Sequence, residues 1–255
     1  MAFFVYNIVE LGAWTAILIY AYEATGPVSV GIVAVLQLLP SAAIAPLLAG
    51  IADRFRRSRV LVGWYLAQAA AVGAVGFAIL LGLPPFLVYG ISTLATIALT
   101  QTRPVQGALL PELADTPAEL TASNALAIIG EGVGAMVGPL AVGILLMVAP
   151  IGTAFVACGL LLVGAGLLLL GLHRHDAAIE APAEPAAAKS GEAADPFAGL
   201  REVARDRDLV VVMALLTGRL VIYGGLEVLI VLLAIELLGV GDSGAGFLMA
   251  PLGMS

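Results

Sequence analysis

GIADRFRRSRVL, residues 50 to 61, places one aspartate and four arginines between two long apolar runs. The chain has only 11 Lys and Arg among 255 residues, so four of them at Arg54, Arg56, Arg57 and Arg59 is a marked concentration. Around that stretch, hydrophobic residues make up 61% of the sequence, against roughly 45–50% apolar usage in a soluble domain. Charged residues are 11% and gather in a few short segments. The apolar segments between them reach the ~20 residues that a helix needs to cross a bilayer. The chain therefore reads as an all-helical, polytopic membrane protein with the lipid bilayer as its first partner.

Working outward from the arginine stretch, apolar runs bounded by Gly, Pro and charge predict spans near 3–23, 28–51, 60–82, 85–108, 119–148, 152–172 and 209–238, with an eighth beginning near 244. The first run carries Glu10 and no basic leader, so it reads as a span and not a signal peptide. Only about a dozen residues follow Gly244, too few to cross, and the sequence is expected to continue into a missing second half of the same fold. Thr25-Gly26-Pro27, Leu83-Pro84-Pro85, Ala149-Pro150 and Gly239 to Ser243 carry no Lys or Arg, whereas 53–59 and 173–207 hold nine of the 11. By the positive-inside rule, the arginine stretch, the amino terminus and the 173–208 linker face the cytoplasm of a cell membrane. The loop at 109–118 falls on the same side with acids only, which the rule tolerates because Asp and Glu contribute little to it.

Three segments follow: an amino-terminal six-helix bundle over 1–172, a cytoplasmic linker over 173–208, and the start of a second bundle over 209–255. The linker's Ala, Pro and Glu composition predicts disorder, and Asp195-Pro196 reads as the start of a short amphipathic helix. Thr116-Pro117-Ala118-Glu119 has the spacing of a capping box and starts span five. Cys158 is the single cysteine, so an internal disulfide and a cysteine metal cluster are excluded. The net charge of -7 comes with no basic groove, which argues against nucleic acid.

AGIADRFRRSRVL resembles the loop between the second and third helices of major facilitator superfamily transporters, where a Gly-x-x-x-Asp-Arg-x-Gly-Arg-Arg pattern is usual. Asp53, Arg54 and Arg57 match it, while Ala49 and Arg56 stand where glycines are expected. Arg103-Pro104-Val105-Gln106-Gly107 resembles the family's Arg-x-x-Gln-Gly signature. Gly134 to Pro139, followed by Gly143, resembles the Gly-x-x-x-Gly-Pro element of span five in many exporters, with Val142 departing from it. The segment GGLEVLIVLLAIELLGVGDSGAGFLMAPLG is similar to helices seven and eight of a bacterial subgroup, some members of which carry a cyclic-nucleotide-binding domain. The resemblance implies alternating access, with Asp53, Arg54, Arg57, Gly134, Gly138 and Pro139 in conformational gating. Positive-inside anchoring alone accounts for the four arginines, but topology does not need Asp53. Likewise, Gly130, Gly134 and Gly138 form a flat helix face that ordinary packing explains equally well.

Charges inside spans are costly and face a partner or a watery cavity. Glu10, Arg103, Glu131, Arg219 and Glu227 are of this kind. Asn7, Glu10 and Trp14 share one face of span one; Thr93, Thr96, Thr100 and Arg103 run along span four; Arg219, Tyr223 and Glu227 run along span seven. Two readings stand at this point: static buried salt bridges, or a substrate and proton pathway through Glu10, Trp14, Thr100, Arg103, Gln106, Glu131, Arg219, Tyr223 and Glu227. In the second, desolvation favours a protonated carboxylate and a nearby arginine opposes it, so a change in their separation moves a proton. His173 and His175 sit at a helix end, and no nucleophile triad, metal-ligand cluster or phosphate loop is present, so neither an enzyme nor a cofactor is expected. The expected function is secondary active transport of a small lipophilic or amphipathic molecule, as proton-coupled export. The alternatives are a membrane sensor linked to a cyclic-nucleotide-binding domain, or an inactive truncated transporter.

Overall fold

The computed structural model describes residues 2–52, 57–100, 102–103, 116–176 and 205–251. Asp53, Arg54, Gln106, linker residues 177–204 and with them the helix start at Asp195 lie outside the described residues, and for Arg57 only the backbone is described. The described chain is helical: α1 (Ala2–Thr25), α2 (Pro27–Ala52), α3 (Arg57–Leu80), α4 (Pro85–Thr100), α5 (Pro117–Leu146), α6 (Ile151–Asp176), α7 (Arg207–Leu232) and α8 (Gly241–Met249). A π-helical turn, Leu233–Leu237, joins α7 to the loop before α8.

Local chemistry sets the helix ends. Pro27, Pro85 and Pro117 open α2, α4 and α5, where the missing N–H has no intrahelical partner to lose. The Thr116 side chain accepts from the Glu119 N–H at 3.3 Å, and the Asp206 carboxylate accepts from the N–H groups of Asp208 and Leu209 to start α7. Gly26 and Gly82 reverse the chain with φ of +90° and +68°, conformations that a side chain would strain. Because the helices alternate in direction, these turns, the 147–150 turn and the Gly239 turn all lie at one end of the bundle. The end of α2 and the start of α3 lie at the other.

Six of the helices are long and apolar enough to cross a membrane, and α4 is apolar over its 16 described residues. The distribution of polarity is the reverse of a soluble core. Val28, Ile32, Val35 and Leu39 project outward from α2, and Leu160, Leu161, Leu167 and Leu168 from α6. Meanwhile Asn7, Gln37, Gln68 and Thr102 are fully or almost fully buried. Such an apolar exterior suits lipid, and the buried amides find partners inside, with Gln68 Oε1 left without one. Gln37 on α2 donates to Ser92 Oγ at 3.0 Å and accepts from Thr96 Oγ1 at 2.7 Å, which clamps α2 to α4. Gln68 on α3 donates to Ala98 O at 3.0 Å and also to Thr102.

α1 is the central helix, packed on α5, α6, α2 and α4, and α3 lies along α6. The α1–α5 contact is backbone on backbone. A Cβ built on Gly138 would stand 2.5 Å from Ile8 O and 2.8 Å from Gly12 N, and one on Gly134 would collide with Asn7. No flexible side chain is available to yield there. The same helix meets α8 at its other end: a Cβ on Gly246 would stand 2.7 Å from both Gly143 Cα and Pro139 O. Helix α5 thus touches α1 and α8 through residues without side chains.

Gly138→Ala is predicted to lower the thermal midpoint of the detergent-solubilised protein by an amount equivalent to about 1–3 kcal/mol of overpacking. Gly63→Ala, where nothing lies within 4 Å of the new methyl, is predicted to leave it unchanged or slightly raised. Equal midpoints for the two variants would contradict a backbone-limited α1–α5 contact.

Candidate functional site

Arg103 emerges at the end of α4, where the Tyr6 hydroxyl donates to Leu99 O at 2.8 Å, one turn earlier. Tyr6 is fully buried, with its ring 6.2 Å from that of Tyr65 and 6.3 Å from that of Phe3. This anchor fixes the height at which the arginine leaves its helix. Its guanidinium then spans the gap between α1 and α5. Nε and Nη2 donate to Glu10 Oε2 at 3.1 and 2.7 Å, Nη2 also reaches Asn7 Oδ1 at 3.2 Å, and Nη1 donates to Glu131 Oε1 at 2.6 Å.

Asn7 and Glu10 are three residues apart on α1 and so present both acceptors to one cation. Glu131 lies on α5 between Gly130 and Gly134, where the absence of side chains lets α1 come close enough for one arginine to reach both helices. The side chains of Glu10, Arg103 and Glu131 keep 18%, 38% and 45% of their surface exposed, so the cluster is only partly buried between the helices. Two carboxylates share one guanidinium, and the cluster is one positive charge short of neutrality.

Further along α1, the Trp14 indole N–H donates to Glu227 Oε2 on α7 at 2.8 Å. Glu227 is 8% exposed. At the turn end of the same two helices, Tyr22 Oη lies 3.5 Å from Glu236 Oε1, at the limit of a hydrogen bond, and Glu23 and Glu236 are exposed. Arg219 and Tyr223 lie with Gly218 and Ile222 along a groove on the surface of α7, with Arg219 exposed and Tyr223 half-buried. That groove belongs to one helix and does not join the Arg103 cluster.

The structure therefore brings together Glu10, Arg103 and Glu131, and separately Trp14 and Glu227. On α4 the threonine hydroxyls turn back to the protein: Thr93 donates to Tyr89 O, Thr100 to Ile97 O at 3.1 Å, and Thr96 to Gln37. Two contributors are absent from the sequence reading. Tyr6 stands one turn before Glu10, a spacing that signals its position, but its bond to Leu99 joins residues 93 apart. Gln37 is the single amide in α2, which is a signal of a buried partner but not of its identity.

Arg103→Gln is predicted to leave Glu10 and Glu131 facing each other without a cation. The ~3–5 kcal/mol for stripping a buried charge of its partner is reduced by the cluster's exposure, so the expected loss of stability is about 1–3 kcal/mol. The double variant Arg103→Gln/Glu131→Gln should recover part of that loss in thermal denaturation, and strict additivity would show that the two groups do not interact.

Residues 1–255 match the family model described as Major Facilitator Superfamily. No curated protein and no solved structure matches the chain. A family match over the full length agrees with the all-helical membrane architecture and with charged groups gathered between helices. The chain belongs to the Major Facilitator Superfamily, a family of multi-pass membrane transporters of small molecules and not of enzymes.

Proposed function

We propose that the protein exports a small lipophilic or amphipathic molecule across the cytoplasmic membrane in exchange for protons. The reading is supported by one observation above the others: a single, partly exposed guanidinium held by two carboxylates from α1 and α5. Protonating one carboxylate leaves Arg103 paired with the other and shifts it between α1 and α5. The cost of the change is small because a partner is retained throughout. Glu131 is the more exposed of the two and takes the proton; Glu10, Arg103 and Asn7 keep the remaining contact.

Movement follows from the helix contacts. Residues 1–172 form one bundle and residues from 209 begin the second, and the two rock about a central site in alternating access. The second bundle meets α1 and α5 through few groups: Trp14 to Glu227, Tyr22 toward Glu236, and Gly143 and Pro139 against Gly246. Smooth glycine surfaces separate without leaving side chains unpaired. The gating residues Asp53, Arg54 and Arg57 belong to the opposite end, where an ion pair forms or breaks as that end closes. Thr100 and Gln106 belong to the proposed pathway, whereas Arg219 and Tyr223 line the separate groove on α7. The arginine stretch, the amino terminus and the 173–208 linker face the cytoplasm.

Two measurements test the reading. In proteoliposomes loaded with a pH-sensitive dye, amphipathic-substrate flux through the wild-type chain is expected to move protons in the opposite direction, and Glu10→Gln, Glu131→Gln or Glu227→Gln to abolish that coupling in at least one case. Retained coupling in all three variants would refute it. For topology, Arg56→Cys is expected to react with a membrane-impermeant thiol reagent only from the cytoplasmic side. Cys158 is buried and gives little background.

A further inference from the structure

Arg219 lies near the middle of α7, is exposed, and has no carboxylate partner among the described residues. Hydrocarbon alone makes a guanidinium at that depth expensive, so it faces a partner or water in the states the protein visits. The Arg103 cluster has the opposite imbalance. Glu10 and Glu131 share one cation, which leaves one negative charge uncompensated.

The two groups lie at matching heights. Trp14 on α1 meets Glu227 on α7, and that contact sets a common level. Arg219 is eight residues back along α7, about 12 Å from that level and away from the turn end. On α5, Gly130 faces Phe3 and Gly134 faces Asn7, so α5 runs parallel to α1 and Glu131 stands level with Phe4. Phe4 is ten residues before Trp14, about 15 Å from the same contact in the same direction, so Arg219 and Glu131 differ in height by only about 3 Å. The remaining links between the bundles lie toward the turn end, with Tyr22 near Glu236 and Gly143 on Gly246. Every residue of α7 from Arg207 to Arg219 is exposed. That half of α7 stands away from α1 and α5 in this structure.

We propose that Arg219 pairs with Glu131 when the two bundles close at the end opposite the turns, and that this salt bridge between α7 and α5 holds the closed state. The inference rests on the alternating-access reading and names a contact made in its second state. Glu131 is the partner because its side chain is 45% exposed against 18% for Glu10. It also accepts a single hydrogen bond from Arg103, through Oε1, whereas Glu10 accepts two. Glu131 Oε2 is therefore open to a second guanidinium. With Arg219 in place, two cations meet two carboxylates and the cluster is neutral.

Distances between spin labels on the full chain in nanodiscs test this, with labels at Ala122→Cys on α5 and Leu209→Cys on α7, both exposed. Cys158 is buried and gives little background. The wild-type sequence is expected to populate a short and a long distance, and Arg219→Gln to lower the ratio of short to long about fivefold or more, while Arg219→Lys stays within about twofold. Adding Glu131→Gln to Arg219→Gln is expected to change the ratio no further, since the two groups act as one pair. An equal ratio in wild type and Arg219→Gln, or strictly additive effects of the two substitutions, would overturn the proposal. If the double variant does not fold, Arg219→Glu decides: repulsion from Glu131 is expected to lower the ratio below that of Arg219→Gln, and a ratio no lower overturns the pairing. The distances are read without substrate or a proton gradient. An Arg219-dependent ratio with no proton-coupled flux in proteoliposomes thus supports the pairing and counts against export alone. Proton-coupled flux with a ratio indifferent to Arg219→Gln overturns the pairing and leaves export standing.

Discussion

The arrangement of the helices depends on one cation. Arg103 projects from the end of α4 into a region lined by α1 and α5, and its guanidinium has enough donors to engage Asn7, Glu10 and Glu131 at once. In hydrocarbon an arginine without such partners is expensive, and so is each carboxylate. Once all three are present, the positions of α1, α4 and α5 are linked, because moving any one of them lengthens a charged hydrogen bond. Tyr6 adds to the constraint by tying α1 to the last turn of α4 through Leu99.

Close approach between α1 and α5 is what makes a single arginine sufficient. With Gly134 and Gly138 facing Asn7, Ile8 and Gly12, the two backbones come within reach of one guanidinium, and a methyl group at either glycine would push them apart. Electrostatics and packing are therefore one design at this contact. The small residues supply dispersion and shape, which in lipid replace the hydrophobic drive, and the charged cluster supplies register along the helices. Toward the turn end of α5 the same chemistry recurs against α8, with Gly143 and Gly246 in contact, but no ion pair joins the two helices among the described residues. Of the two helices it meets most closely, α5 is thus held to α1 by charge and rests against α8 by shape.

Charge is distributed unequally between the two polar groups that join the helices. Around Arg103 every carboxylate has a cation; at Glu227 the partner is a neutral indole from the opposite helix. The first group ties α1, α4 and α5 together through charged hydrogen bonds. The second joins α1 to α7 through a hydrogen bond from a neutral donor.

The sequence alone determined the class of the protein and most of its helices, because long apolar runs, Pro at helix starts and Gly at turns are local signals with local causes. Apart from the end of span four, which lies outside the described residues, span boundaries agree with the described helices to within a few residues for this reason, and the Thr116 cap is legible from four letters. The polar positions Glu10, Arg103, Glu131 and Glu227 were equally legible, since a charge inside an apolar run is conspicuous. Which of them meet was not. Arg103 and Glu10 are 93 residues apart, and Trp14 and Glu227 are 213 apart. Helical periodicity places a residue on a face but carries nothing about the face opposite. The Thr96 hydroxyl, read as part of a wet stripe, is turned instead to Gln37, because a buried amide on the neighbouring helix competes for it. Tertiary structure decided the pairings, since they depend on how closely whole helices approach, and that distance is set by glycines far from the charges in sequence.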